Sequence, residues 1–190
     1  MCIRDRAVEL VDDTMIELAR SIPIFQPTVE EAVRGNPAAL LLVEFAEEDM
    51  AENERRLHQL HEMMGDLGFG WDNGAAWRGG VVDAIDPGMQ GRISEWRKSG
   101  LNIMMSEKSE AKPVSFLEDC AVELKDLAEY TDKLTAIFDR NGVKGTWYAH
   151  ASVGCLHVRP VLNMKQARKP ETMRAIAEEA FELVRYLGGS

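Results

Sequence analysis

Two of the four histidines in this chain, His150 and His157, lie seven residues apart in the segment YAHASVGCLHVRP, residues 148–160. A neutral imidazole binds a divalent metal through one ring nitrogen, commonly together with a carboxylate. Two histidines can share one metal only if the chain brings both rings to the same place. The alternative is a pair of hydrogen-bonded structural histidines, and spacing alone favours that alternative.

The local sequence decides how the two rings could meet. The residues that precede His150 are typical of a strand, and Gly154 interrupts the segment, so a helix is disfavoured. On one straight strand an odd spacing would direct the two side chains to opposite faces of the sheet. The small residues at 151–154 predict a turn. We therefore expect a bend between the histidines that brings both rings to a common side.

Hydrophobic patterning predicts the elements around this segment. An apolar run at 39–45 indicates a buried strand, 79–85 and 112–122 are strand-like, and 144–163 is rich in β-forming residues. Helical periodicity predicts helices at 7–21, 47–67, 86–99, 123–139 and 169–187. This order favours an α+β, ferredoxin-like fold, with a mostly antiparallel sheet and helices packed on one face. A parallel α/β sheet is the alternative, because strands and helices alternate.

Composition narrows the class of protein. The chain has 190 residues, which suits one domain of ordinary size. Its net charge of −10 argues against nucleic acid or an anionic membrane as the main partner. Three cysteines without paired spacing fit a reducing compartment and no disulfide framework. We expect a cytoplasmic protein.

A second group of potential ligands lies in the segment ENERRLHQLHE. His58 and His61 stand with Glu54 and Glu62 at helical spacings of three and four residues. Such a group is a plausible metal face, but a solvated helix face with i,i+4 pairing is the more common outcome. We interpret this segment as a solvated face.

The segment GTWYAHASVGCLHVRPVLNMK, residues 145–165, resembles the C-terminal domain of FAD-linked oxidases of the vanillyl-alcohol-oxidase class. The stretches ALLLVEF at 39–45, WRKSGL at 96–101 and KPVSFLEDCAV at 112–122 match further blocks of that family in the same order. The motif His-Ala-Ser-Val-Gly-Cys-Leu-His is similar to the bacterial branch that joins an FAD domain to an iron–sulfur domain and oxidises D-2-hydroxy acids. The resemblance covers residues 7–190, which we interpret as the substrate-side, or cap, domain of such an enzyme.

The resemblance implies roles for four residues of this sequence. His150 and His157 would bind a divalent metal, often zinc, beside the flavin. Arg97 and Lys112 would contact the substrate, and a planar guanidinium suits a carboxylate. The alternatives are a cation at a helix end for Arg97 and a solvated lysine before a strand for Lys112. The resemblance assigns no catalytic base and no FAD contact to a residue of this chain.

The implied reaction is oxidation of a D-2-hydroxy acid of the lactate, glycolate or 2-hydroxyglutarate type. FAD, bound mainly by a preceding domain, would take the hydride, and electrons would pass to an iron–sulfur cluster in a following domain. A peripheral respiratory-chain acceptor at the inner face of the membrane and a homo-oligomeric state stay open. The alternative is a free-standing ferredoxin-like module that binds a ligand or metal without catalysis.

Both ends of the chain suggest that it is a fragment. MCIRDR, residues 1–6, back-translates to a sequence that resembles a sequencing-library adapter, and we exclude it from the fold. The other end stops at 188–190, just after a predicted helix. In the family a Ser-Gly-Glu-His-Gly-Asp-Gly segment follows such a Gly-Gly-Ser, and it carries a glutamate metal ligand and a histidine that is a candidate base. We therefore expect a domain truncated at its C-terminus and inactive by itself.

Overall fold

A computed structural model of the chain describes residues 7–71, 79–106 and 108–190. The proposed adapter segment 1–6 lies outside the described residues. The strands of the described part form one six-stranded sheet. They are β1 (Ala7–Asp12), β2 (Ala39–Glu44), β3 (Lys112–Pro113), β4 (Leu117–Ala121), β5 (Gly145–His150) and β6 (Cys155–Leu162).

The sheet is antiparallel throughout its described pairs. Its order is β2-β1-β5-β6, and both β3 and β4 pair with the outer edge of β6. All five described pairings are antiparallel, so the predicted α+β class is confirmed and the parallel alternative is wrong. The inner strands β1, β5 and β6 carry the candidate site.

Helices pack against this sheet in two groups. The described helices are α1 (Asp13–Arg20), α2 (Gln26–Ala32), α3 (Met50–Asp66), α4 (Pro87–Lys98), α5 (Gly100–Met105), α6 (Leu127–Arg140) and α7 (Lys169–Tyr186). α6 and α7 cover one face of the sheet, where their apolar sides bury Leu156, Val158 and Leu162 of β6. None of the described helices combines the length and the apolar character that crossing a membrane would require.

A second core lies on the opposite face, whereas the sequence patterns predicted helices on one face only. Leu10 packs against the α6–α7 core, whereas its neighbour Val11 belongs to a cluster with residues of α1, α2, α4 and α5. Adjacent strand residues point to opposite faces, so this second cluster covers the other side of the sheet at β1. The open part of that face, over β5 and β6, is where the two histidines lie.

The helix predicted over 7–21 is wrong in its first half. Residues Ala7–Asp12 form β1, which pairs with β2 on one side and β5 on the other, and only Asp13–Arg20 are helical. Two neighbouring strands override the weak helical periodicity of this stretch. The junction is fixed by Asp12, whose carboxylate accepts from the backbone N–H of Met15 at 2.9 Å and of Trp147 at 2.8 Å.

Two predictions outside the site also need correction. The stretch 79–85, predicted as a strand, has no regular secondary structure. The strand predicted at 39–45 is confirmed as β2, but β2 is an edge strand among those that the structure describes, and Leu41 is half exposed. Similarly, α3 has the predicted bounds to within three residues but buries none of its side chains.

Candidate functional site

The bend predicted between the two histidines is confirmed. β5 ends at His150, a 3₁₀ turn follows over Ala151–Val153, and Gly154 adopts a left-handed conformation with φ 67°. A Cβ at Gly154 would stand 2.1 Å from the carbonyl oxygen of Val122, so both the torsion and the close approach require glycine. The turn folds β6 back onto β5.

The hairpin register places both imidazoles on one face. Tyr148 lies opposite His157, and His150 lies opposite Cys155, so the two histidines are diagonal neighbours. Their ring centres are 5.0 Å apart with the planes at 86°. Tyr148 lies beside both rings, nearly parallel to His157 at 5.7 Å and edge-on to His150 at 5.8 Å.

A buried carboxylate of β1 binds the first imidazole. Glu9 lies directly opposite His150 in the β1–β5 register, and its oxygens are 2.8 and 3.0 Å from His150 Nδ1. The Glu9 side chain is only 8% exposed. The Arg97 guanidinium, from the last turn of α4, forms an ion pair with the same carboxylate. Glu9 is therefore held from two sides while it faces His150.

Tyr148 extends this network. Its hydroxyl interacts with both Arg97 and Glu9. Burial raises the pKa of the Tyr148 hydroxyl, and the negative charge of Glu9 adds to the effect, although Arg97 opposes it. The phenol therefore keeps its proton more firmly than in water, and it can act as a hydrogen-bond donor in the cluster.

The second imidazole has a carboxylate partner of a different kind. Asp119 Oδ1 lies 3.1 Å from His157 Nδ1, but the Asp119 side chain is 78% exposed. Asp119 lies in β4, where the pairing with β6 shifts register between Leu117 and Cys120, and it has a φ of 62°. The irregular strand turns this side chain towards the edge of the sheet, where water competes for it.

The geometry fits two imidazoles that share one metal. An ionised carboxylate only accepts hydrogen bonds, so a proton on each Nδ1 satisfies both contacts and leaves each Nε2 lone pair available. Carboxylate partners of this type are usual behind metal-binding histidines. Two imidazoles bound through Nε2 to a tetrahedral zinc at about 2.0–2.1 Å have ring centres roughly 5 Å apart, as these two do.

The structure also offers a different donor set. Within the described part of the chain, the one group of three potential ligands whose donor atoms lie within 4.8 Å of one another is Asp119, Cys155 and His157. Burial is the largest cause that raises the pKa of the Cys155 thiol, which disfavours the thiolate that a metal needs. Moreover, this set excludes His150. We favour the His150–His157 pair, because both rings already have a carboxylate behind them.

The two residues predicted to contact the substrate lie at different distances from the histidines. Arg97 joins the cluster through Glu9, and among the described residues its Nε is one of two buried polar side-chain atoms without a hydrogen-bond partner. Lys112 begins β3 opposite Leu162, five positions along β6 from His157. Five strand residues span roughly 16 Å, so the backbone does not place Lys112 beside the imidazoles.

Three residues of the cluster were missed by the sequence patterns. Glu9 was assigned to a helix, and a charged residue in the apolar run around it was the only available signal. Tyr148 was recognised only as a strand-forming residue. Asp119 gave no signal at all, because its approach to His157 depends on the register shift in β4.

The other histidine group does not form a ligand cluster. His61 Nε2 pairs with Asp83 at 2.7 Å, and His58 Nδ1 lies 3.5 Å from Glu62. All four side chains are well exposed. These contacts agree with the interpretation of this helix as a solvated, ion-paired face.

Comparison with known proteins decides the family. A sequence model of the family described as "FAD linked oxidases, C-terminal domain" matches residues 3–190. This chain belongs to that family. The match supports the resemblance in the histidine segment, and it extends over both the β1 strand that carries Glu9 and the α4 helix that carries Arg97. The FAD-linked oxidase domain therefore includes every residue of the cluster.

Relatives with curated names agree with one another. The D-2-hydroxyglutarate dehydrogenase of Pantoea ananatis is 31% identical over 192 residues, which cover 96% of this chain and 18% of the relative. The enzyme of the same name from Escherichia coli is 30% identical over 190 residues, covering 98% of this chain and 18% of the relative. That of Haemophilus influenzae is 26% identical over 187 residues. The chain thus spans about a fifth of the length of the relatives it matches.

Proposed function

We propose that this domain is the substrate-side part of an FAD-dependent dehydrogenase that oxidises a D-2-hydroxy acid, with 2-hydroxyglutarate as the first substrate to test. The observation that carries the proposal is the His150–His157 pair, whose rings meet 5.0 Å apart in a domain of the FAD-linked oxidase family. The names of the relatives support the choice of acid. Lactate and glycolate are smaller substrates of the same class.

In this proposal the imidazoles hold a divalent metal such as zinc through Nε2, while the carboxylates behind them hold Nδ1. Such a metal, when bound, lowers the pKa of a hydroxyl group that it contacts. A third ligand and the catalytic base would come from residues outside the described cluster. FAD would accept the hydride, and we assign no described residue of this chain to it.

Arg97 has the chemistry to bind a substrate carboxylate. Its guanidinium already pairs with Glu9 through Nη2, and its buried Nε has no partner among the described residues. A buried donor without a partner is costly, so a ligand that accepts from it would stabilise the site. Lys112 is not part of this proposal, because its partner Leu162 lies roughly 16 Å along β6 from His157 and faces the α6–α7 core on the other side of the sheet.

The test of the proposal is dye reduction by the polypeptide in which this domain is joined to its FAD-binding domain. D-2-Hydroxyglutarate, D-lactate and glycolate are compared with L-2-hydroxyglutarate. We expect turnover of a D-acid, a loss of at least about 100-fold in His150→Gln and His157→Gln, and a raised KM in Arg97→Lys. The exposed His58→Gln is the matched control. No turnover of any D-acid by the flavin-loaded protein would overturn the proposal.

The metal donor set has a separate test. Cobalt(II) bound to the two imidazoles gives only weak ligand-field bands, whereas cobalt bound to Cys155 adds a strong sulfur-to-metal charge-transfer band. We expect no such band, and we expect Cys155→Ser to leave the cobalt spectrum unchanged. A charge-transfer band that disappears in Cys155→Ser would instead support the Asp119, Cys155 and His157 set.

The electron path to an iron–sulfur domain belongs to the same proposal and rests on the motif in 150–157. The rival is a ferredoxin-like module that binds a metal or small ligand without catalysis. That rival predicts metal binding without any redox activity in the presence of FAD. The dye-reduction assay therefore separates the two.

A further inference from the structure

Glu9 is the most buried acidic group of the described cluster and the one with the most partners. Its side chain is 8% exposed, and it lies on a central strand rather than in a loop. A buried carboxylate is costly unless charges and hydrogen bonds compensate for lost water. Glu9 has that compensation from Arg97 and from the ring of His150. Its presence in this core therefore depends on those two contacts.

Both Glu9 oxygens face the same nitrogen of His150. Nδ1 lies 2.8 Å from Oε2 and 3.0 Å from Oε1, and an ionised carboxylate can only accept. The contact requires a proton on Nδ1, and in the neutral ring Nε2 then carries the lone pair. Since the His150 side chain is 40% exposed, packing alone does not hold the ring in one orientation.

We propose that Glu9, clamped by Arg97, is the positioning residue that sets the tautomer and orientation of His150, so that Nε2 faces the gap shared with His157. This inference rests on the proposed metal-binding function for its purpose, but its geometry is independent of a metal. Glu9 touches neither substrate nor metal and acts through His150. The same contact places Arg97 beside the site, which couples the predicted substrate cation to the predicted metal ligand.

The direct test is the tautomer of His150 in the metal-free chain. Two-bond ¹H–¹⁵N correlation spectra distinguish a proton on Nδ1 from a proton on Nε2. We expect the wild type to show the proton on Nδ1 at a pH at which the ring is neutral. Glu9→Leu should give a mixture of tautomers, and Glu9→Gln, whose carbonyl oxygen can still accept, should restore most of the wild-type signal.

The second readout is the affinity for cobalt(II), measured by calorimetry on the same chain. Changing the carboxylate behind a metal-binding histidine typically weakens binding 10- to 100-fold, and we expect a loss in that range for Glu9→Leu. Glu31→Leu is the control, because Glu31 also pairs with an arginine of α4, Arg92, and the described contacts of that pair include neither imidazole. We expect less than about a threefold change there.

A second variant keeps the test valid if Glu9→Leu fails to fold. If Glu9→Leu alone fails to fold because Arg97 is left unpaired, Glu9→Leu combined with Arg97→Leu removes the whole ion pair, which proteins often tolerate. The inference is overturned if His150 keeps its proton on Nδ1 without Glu9, or if Glu31→Leu weakens cobalt binding as much as Glu9→Leu. Failure of the wild type to bind cobalt would count against the metal function, while the tautomer spectra would still decide the role of Glu9.

Discussion

The two imidazoles of the cluster make the same contact in opposite surroundings. His150 Nδ1 faces Glu9, which is buried on a central strand and clamped by Arg97. His157 Nδ1 faces Asp119, which is 78% exposed on an irregular edge strand. A carboxylate that is removed from water and held on both sides fixes its partner, whereas an exposed one exchanges its contact with solvent. The comparison teaches that a similar distance can represent two very different interactions.

The largest effect on stability should come from Gly154, which connects β5, the strand of His150, to β6, the strand of His157. Gly154→Ala introduces a Cβ 2.1 Å from Val122 O at a φ of 67°, so both the clash and the torsion oppose it. We expect a loss of about 3–5 kcal/mol in the free energy of unfolding, measured by urea denaturation. Gly142→Ala is the matched control, because its φ is 62° but nothing lies within 4 Å of the added Cβ. It should lose only about 1–2 kcal/mol, and equal losses in both variants would contradict the role of the close approach.

The position of Glu9 on β1 also depends on Asp12, because the Asp12 carboxylate accepts a hydrogen bond from Trp147 N of β5. Burial raises the pKa of Asp12 to about 6 from 3.8, so the folded state holds the proton over a range where the unfolded chain has lost it. The stabilising contribution is present below pH 4 and is lost as the pH rises through 6, by about 3 kcal/mol in total. Unfolding midpoints of the wild type and Asp12→Asn at pH 4, 5, 6 and 7 measure this.

We expect the free energy of unfolding of the wild type, minus that of Asp12→Asn, to fall as the pH rises over that range. The comparison with the variant cancels the titration of the other carboxylates, some of which respond in the opposite direction. A difference that stays constant from pH 4 to 7 would show that Asp12 titrates normally in the folded state.

A smaller effect on stability is expected from Arg97, which forms the ion pair with Glu9. Arg97→Leu leaves Glu9 buried with only His150 and the Tyr148 hydroxyl as partners. Removing one member of a buried pair is costly, but Arg97 is about one-third exposed, so we expect a loss of only about 1–2 kcal/mol. A double-mutant cycle with Glu9→Leu should show that the two residues are coupled. Additive losses of stability would show that Arg97 does not hold Glu9 in place.

The smallest effect on stability should come from Asp119, the exposed carboxylate beside His157. Asp119→Asn keeps an oxygen that can accept from His157 and changes only an exposed charge. We expect the free energy of unfolding to change by less than about 0.5 kcal/mol. If this variant is as unstable as Arg97→Leu, the distinction between the buried and exposed carboxylates is wrong.

Local patterns predicted most of the elements but misplaced one that matters. The helices α4, α6 and α7 follow from apolar periodicity and from a cap such as Asp86, which accepts from Met89 N. β1 was missed because AVELVD has a helical spacing of apolar residues and continues into a real helix. Its strand conformation depends on hydrogen bonds to β2 and β5, whose partners lie far away in sequence.

The sequence by itself determined the hairpin. Glycine at 154, small residues before it and strand-forming residues on both sides suffice to bend the chain, because turn and strand preferences are local. It also carried the motif on which the family resemblance depends. Only the tertiary structure decided which carboxylate faces each imidazole, since Glu9 lies 141 residues from His150 and meets it only through strand pairing. Burial likewise arises only after the layers assemble, and burial is what makes Glu9 and Asp119 different.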